Sequence, residues 1–265
     1  MMLELTNIKK TFHPGTVNEK KALNGVTLSV DKGEFVTILG SNGAGKSTLF
    51  NAICGSFLID SGKITLDGKD ITRLPDYKRA LDIGRLFQDP MKGTAPNMTI
   101  EENMAMAYSR KAKKSFFAVN KRDTEYFREL LVKLDLGLED RMKTKIGLLS
   151  GGQRQAVSLL MSTISDPKLL LLDEHTAALD PATAKKVLDI TVDIVERTGT
   201  ATMMITHDMN AALRLGTRTI MMDDGKVILD ISGDERKNMT IDDLLNLYTK
   251  ESKKQLANDR ILLSR

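Results

Sequence analysis

The densest chemistry in the sequence lies in the run Gly40-Ser41-Asn42-Gly43-Ala44-Gly45-Lys46-Ser47-Thr48. It fits the phosphate-loop pattern G-x-x-x-x-G-K-[ST] without a mismatch. Glycines let backbone N–H groups close around phosphates, and a helix that starts there adds positive partial charge. Lys46 is placed to reach the β- and γ-phosphates of a nucleoside triphosphate, and Ser47 to ligate Mg²⁺. A second group is Asp173-Glu174, which closes the apolar run Leu169-Leu170-Leu171-Leu172. In a triphosphatase one such acid holds Mg²⁺, usually through water, and the next polarises the attacking water. The third is Leu149-Ser150-Gly151-Gly152-Gln153. Ser150 and Gln153 have the spacing of a capping box. Two glycines in a first helical turn cost stability, so capping is not the whole reason for them. They also allow a close backbone approach to an anion.

The elements that must position these groups read as follows. Phe35–Leu39 is a buried strand feeding the loop, and Thr48–Ile53 suits the helix that follows it. Leu3–Ile8 and Val26–Val30 read as strands, with a turn-rich segment around Phe12, His13 and Pro14-Gly15 between them. Lys63–Asp67 reads as a hairpin edge, and Ile83–Gln88 as a strand closed by Asp89-Pro90. From about Met91 to Ser162 helical periodicity dominates, as in Phe127, Leu130, Leu131 and Leu134. The run before Asp173 suits a central parallel strand with its C-terminal end at the ligand edge. Ala182–Val195 reads as a crossover helix, Thr202–Thr206 as a strand ending at His207, and Thr219–Leu229 as a hairpin broken at Asp224-Gly225. The tail past Thr240 reads as helical.

The 265 residues allow one large domain or two small ones, and 41% hydrophobic with 28% charged residues is ordinary for a globular chain. No apolar run is long enough to span a bilayer. The start, Met1-Met2-Leu3-Glu4-Leu5, lacks the basic residues and cleavage site of a signal peptide. A single cysteine, Cys54, excludes an internal disulfide and fits a reducing compartment. The net charge is +4, yet Arg110, Lys111, Lys113, Lys114, Lys121 and Arg122 cluster without an acid, so the rest of the chain is net negative. This run, with Phe116 and Phe117, reads either as a solvated loop or as a patch facing anionic headgroups. No recognition module for nucleic acid accompanies it.

Taken together, the phosphate loop, the Ser150 pentapeptide and the Asp173-Glu174 pair resemble the nucleotide-binding subunit of an ABC transporter, over nearly the whole chain and in the family's order. The resemblance implies an α/β fold: a P-loop NTPase core with an antiparallel β edge and an inserted α-helical subdomain. It implies one domain, with core at about 1–90 and 163–235, helical subdomain at about 91–162 and a tail at about 236–265. Gln88 falls at the family's Q-loop glutamine, which contacts Mg²⁺ and relays the nucleotide state. Ala178-Leu179-Asp180 matches the D-loop, and His207 the switch histidine at the γ-phosphate. Phe12 stands where the family has a tyrosine on adenine, so it can stack but lacks the hydroxyl. His175 stands where many members have proline; because Glu174 occupies the position of the base, His175 reads as a local variant.

The resemblance further implies ATP and Mg²⁺ as ligands. It implies a head-to-tail homodimer in which the Ser150 signature of one chain completes the site of the other. Permease subunits and a solute-binding protein are the expected partners, at the cytoplasmic face of the membrane, with a docking groove by Gln88 and Met91–Met98 in which Met91, Ala95 and Met98 offer apolar contacts. The opening Pro14–Glu19 and Phe87-Gln88-Asp89-Pro90-Met91 resemble a bacterial branch of importer ATPases, some described as serving aromatic amino acids. Exporter ATPases share these motifs. Soluble ABC-type ATPases usually carry a long coiled-coil insertion or two fused cassettes, and neither fits this length.

Overall fold

A computed structural model describes residues 1–112 and 120–251, and for Lys111 and Ala112 the backbone alone. Lys113, Lys114, Phe116 and Phe117 of the basic run therefore lie outside the described residues. In chain order come β1 (Leu3–Phe12), β2 (Lys20–Val30), β3 (Phe35–Gly40), α1 (Lys46–Cys54), β4 (Ser61–Leu66), β5 (Lys69–Asp70), α2 (Asp76–Arg79) and β6 (Ile83–Leu86). The helices α3 (Ile100–Ala112), α4 (Lys121–Val132) and α5 (Gly151–Thr163) follow, then β7 (Leu169–Asp173), α6 (Pro181–Thr198) and β8 (Ala201–Ile205). The chain continues through α7 (Met209–Leu215), β9 (Arg218–Asp223), β10 (Lys226–Ser232) and α8 (Gly233–Lys237) to a helical stretch over 241–251. The fold is mixed α/β, with antiparallel and parallel pairings.

Two compact units divide the chain. The first comprises Met1–Asp76 and Ala201–Arg265, the second Tyr77–Thr200. In the first unit β2, β1, β4 and β5 form an antiparallel sheet, while β3 pairs in parallel with both β8 and β9, and β10 closes on β9 as a hairpin. Strands β1 and β2 both run further than alternation predicts, so Phe12 ends a strand rather than lying in a turn. The reason is irregular register: Asn7 takes a φ of 48° and Gly25 one of 86°, and pairing shifts beside them. Each bulge flips the side-chain period and hides the strand from a period-2 reading.

In the second unit β6 pairs in parallel with β7, and β7 is buried throughout, as its unbroken leucines require. Helices α3, α4 and α5 enclose a core in which Phe127, Leu131 and Leu134 are buried and Leu130 packs at the rim. Helix α4 starts on a capping box, Asn120 with Asp123. Helix α6 starts with Asp180 as cap and Pro181 in its first turn, and ends at Gly199 in the left-handed region. Cys54 lies half-buried at the last turn of α1.

Candidate active site

The phosphate loop joins β3 to α1 in the first unit. Three of its glycines are imposed by geometry or neighbours. Gly40 has a φ of 149° and a Cβ there would come within 2.3 Å of the Met222 carbonyl; at Gly45, φ is 101° and the Ala22 carbonyl would be 2.6 Å away. Gly43, at 87°, is the exposed apex. The β9–β10 turn braces the loop from outside: Gly225 N–H donates to the Ala44 carbonyl at 3.0 Å, and Asn24 N–H to the Gly225 carbonyl at 2.8 Å.

The loop suits an anion. Helix α1 has Gly45, which has no side chain to cap with, as its N-cap, and no acid in its first turn. Lys46 is buried, and its ammonium donates to the carbonyls of Gly40 at 2.8 Å and Ser41 at 3.0 Å, which holds a positive charge across the loop. Ser41, Asn42 and Ser47 are exposed, and Thr48 half-buried.

Parallel register brings His207 to the same edge. Ile38 pairs with Ile205, and Thr206 N–H donates to the Ile38 carbonyl at 3.2 Å, so Gly40-Ser41 and Thr206-His207 leave neighbouring strands together. Both pairs line a cavity of about 190 Å³ with Met209 and Tyr248. Tyr248 belongs to the 241–251 helix, whose Leu244 and Leu247 pack with Leu39 and Met221. That helix face was visible as apolar residues at 244, 247 and 248, a helical spacing in a tail otherwise rich in charge. Phe12 does not line this cavity. It meets Phe57 edge-on with ring centroids 5.3 Å apart, with the Lys10 ammonium 5.6 Å from its own centroid.

The second unit repeats the parallel-register device. Leu86 pairs with Leu172, so Phe87-Gln88 and Asp173-Glu174 emerge side by side. Gln88 Nε2 donates to Glu174 Oε2 at 3.2 Å. Glu174 has a φ of 46°, a left-handed conformation that costs a non-glycine residue about 1–3 kcal/mol and is typical of functional sites. Asp173 is buried and ion-paired with Arg85 at 3.4 Å, and the guanidinium lies 4.5 Å from the Phe87 ring centroid. Arg85 was missed in the sequence, where it shows only as one polar residue inside a short strand.

His175 is buried and 3.1 Å from Thr191 Oγ1 through Nε2. The Thr191 hydroxyl donates its proton to the Val187 carbonyl at 2.8 Å, so His175 Nε2 carries the hydrogen and donates. Burial pulls its pKa down to about 4. A buried, neutral imidazole that is already donating ties β7 to α6, and is not placed to take a proton from water.

Ser150 caps α5 in the expected box: Gln153 N–H donates to Ser150 Oγ and Ser150 N–H to Gln153 Oε1, both at 3.3 Å. The two glycines differ. Gly151 is exposed, whereas Gly152 is buried and a Cβ there would lie 2.0 Å from Thr183 Cγ2. Gly152 is thus required by the contact of α5 with α6, while Gly151 is exposed and a Cβ there would lie 3.2 Å from the end of the Leu179 side chain. Asp180 is engaged as the α6 cap, accepting from Thr183 N–H at 3.1 Å. Gln155, fully buried, donates to the Phe87 carbonyl at 3.2 Å and links α5 to the end of β6.

With this geometry in place, the relatives are informative. The family model described as ABC transporter matches residues 23–177, more than half of the chain. The chain is 42% identical to a tyrosine transport ATP-binding protein of Clostridioides difficile (strain R20291), covering 93% of this chain and 98% of that protein. It is 33% identical to a xylose/arabinose import ATP-binding protein of Sulfolobus acidocaldarius, covering 93% and 94%. Among solved structures, the dimeric post-hydrolysis state of the ATP-binding cassette MJ0796, bound to ADP and Pi, matches with a TM-score of 0.76 at 30% identity over 87% of this chain and 98% of that one. The chain belongs to the ABC transporter family as an ATP-binding cassette with ATPase activity.

Proposed function

We propose that this cassette powers the uptake of an aromatic amino acid, tyrosine first, through separate permease subunits that receive solute from a binding protein. The observation that carries the solute is the 42% identity to a tyrosine transport ATP-binding protein, spread over 98% of that protein's length. Among the described residues no helix is long and apolar enough to cross a membrane, so a permease is needed. The chain would sit at the cytoplasmic face by docking to it. Gln88 and the segment Met91–Met98 form the docking surface, with Met91 exposed and Ala95 and Met98 half-buried.

In this reading Ser41–Thr48 hold the triphosphate and Phe12 stacks on adenine. Ser47, Gln88 and Asp173 supply hard oxygen donors for Mg²⁺. Mg²⁺, when bound, neutralises charge on the transferring phosphoryl group. Glu174 accepts the proton of the attacking water, with Gln88 holding its carboxylate. His207 contacts the γ-phosphate. Two copies pair head to tail, each offering Ser150, Gly151, Gln153 and Asp180 to the other's nucleotide, with Gly152 letting α5 pack against Thr183 behind them. The dimeric state of the MJ0796 cassette supports this pairing.

The test is uptake of labelled tyrosine by cells lacking the native cassette and carrying this chain with its permease and binding protein. Tyrosine uptake should return with the wild-type chain and not with Lys46→Ala. Restoration of xylose or arabinose uptake in place of tyrosine would overturn the solute assignment and leave the ATPase standing.

A further inference from the structure

Arg154 lies in the first turn of α5, one residue beyond the Ser150–Gln153 signature. A cation at this end opposes the helix dipole, so the placement needs a compensating set of partners. Arg154 has one. Nε donates to the Ile146 carbonyl at 3.3 Å, and Nη2 to the carbonyls of Gly147 at 3.1 Å and Leu149 at 2.9 Å. These acceptors belong to the one turn that leads into Ser150. The same turn is gripped from its other side, since Ile146 N–H donates to the Met98 carbonyl at 3.0 Å and Gly147 N–H to the Pro96 carbonyl at 2.9 Å.

Ile146 and Leu149 bury the two ends of the turn in the helical core, which leaves its middle to be held by hydrogen bonds. Leu148 is 72% exposed, so its side chain adds little packing, and both bonds of the Ser150–Gln153 box are long at 3.3 Å. A planar guanidinium can meet three carbonyls from one position; a lysine ammonium is a point donor on a flexible stem and cannot hold the same set. We propose that Arg154 is a positioning residue for the signature: it clamps the 146–149 turn so that the Ser150 hydroxyl and the exposed Gly151 face the nucleotide of the second chain. The inference rests on the head-to-tail pairing given under Proposed function.

The test uses full-length Arg154→Ala and Arg154→Lys, each also in a Glu174→Gln background that blocks turnover. Three readouts are compared: binding of a fluorescent ATP analogue to the monomer, ATP–Mg²⁺-driven dimerisation by light scattering, and kcat against KM. In Arg154→Ala, monomer binding should match wild type because the phosphate loop is untouched. Dimerisation should need about tenfold more ATP and kcat should fall by about tenfold, the loss of charge-assisted bonds to a turn that must keep its shape. Arg154→Lys should recover part of both. Should Arg154→Ala lose its helical circular dichroism, Arg154→Lys decides, with at least a severalfold dimerisation shift expected at unchanged monomer binding. Folded variants with wild-type dimerisation and kcat would overturn the assignment, as would a parallel loss of monomer binding. The arms separate the two claims: if Glu174→Gln alone never dimerises, the pairing itself has failed and takes this inference with it; if it dimerises whether or not Arg154 is present, Arg154 alone is misassigned.

Discussion

Helices α1 and α5 both begin at glycines, and they begin in opposite ways. Helix α1 has glycine as its cap residue and lays a buried lysine across the loop before it. Helix α5 closes on itself through Ser150 and Gln153, and a guanidinium holds the turn before it. The first start has a glycine cap and a buried cation, which suits an anion. The second has its cap bonds made within the chain and leaves Ser150 and Gly151 exposed. In the proposed pairing, the difference separates a site that binds its own nucleotide from a surface presented to another chain's.

The largest expected effect falls on the first start. Lys46→Ala removes the charge held across the loop, and nucleotide binding to the monomer should be lost, as read by fluorescence titration. Gly151→Asp should do the reverse: an acid at the start of α5 suits the helix dipole, so the fold persists and monomer binding stays, while its charge repels an approaching phosphate and ATPase activity collapses. Equal loss of monomer binding in both variants would erase the contrast between the two starts.

A smaller effect concerns stability. His175 is neutral in the fold with a pKa near 4, against an ordinary value of 6.5. The unfolded chain therefore binds more protons between those values, and stability contributed by the neutral imidazole is full above about pH 6.5 and falls as pH drops toward 4. Urea unfolding should show about 2 kcal/mol of this loss between pH 7 and pH 5, and His175→Gln should remove it. If His175→Gln instead abolished ATPase activity in a folded protein, the imidazole would have a chemical role after all. Smallest is Ser150→Ala, which removes the cap of α5 and should cost at most about 1 kcal/mol in urea unfolding at pH 7, because the cap bonds are long.

What could be read from the sequence was what is local. The phosphate loop, the strand before it, the run ending at Asp173-Glu174 and the Ser150–Gln153 box each lie within a few residues, and the structure forms those elements where the patterns put them. The bulges at Asn7 and Gly25 hid the true extent of β1 and β2 because each breaks the period that reveals a strand. Gly152 looked like an anion contact until Thr183 appeared against it, since packing between α5 and α6 leaves no mark on a pentapeptide. Arg85 and Arg154 act through a carboxylate 88 positions away and through backbone carbonyls, and neither partner produces a spacing pattern.

In the proposed dimer the α5 start of one chain completes the α1 start of another. Its most direct measurement is the molar mass of Glu174→Gln by light scattering, without nucleotide and with saturating ATP–Mg²⁺, alongside the same variant carrying Gly151→Asp. The chain should be a monomer without nucleotide, a stable dimer with ATP–Mg²⁺, and a monomer under both conditions once Gly151 is replaced. A Glu174→Gln chain that stays monomeric while binding ATP, or one that dimerises equally well with Gly151→Asp, would contradict it.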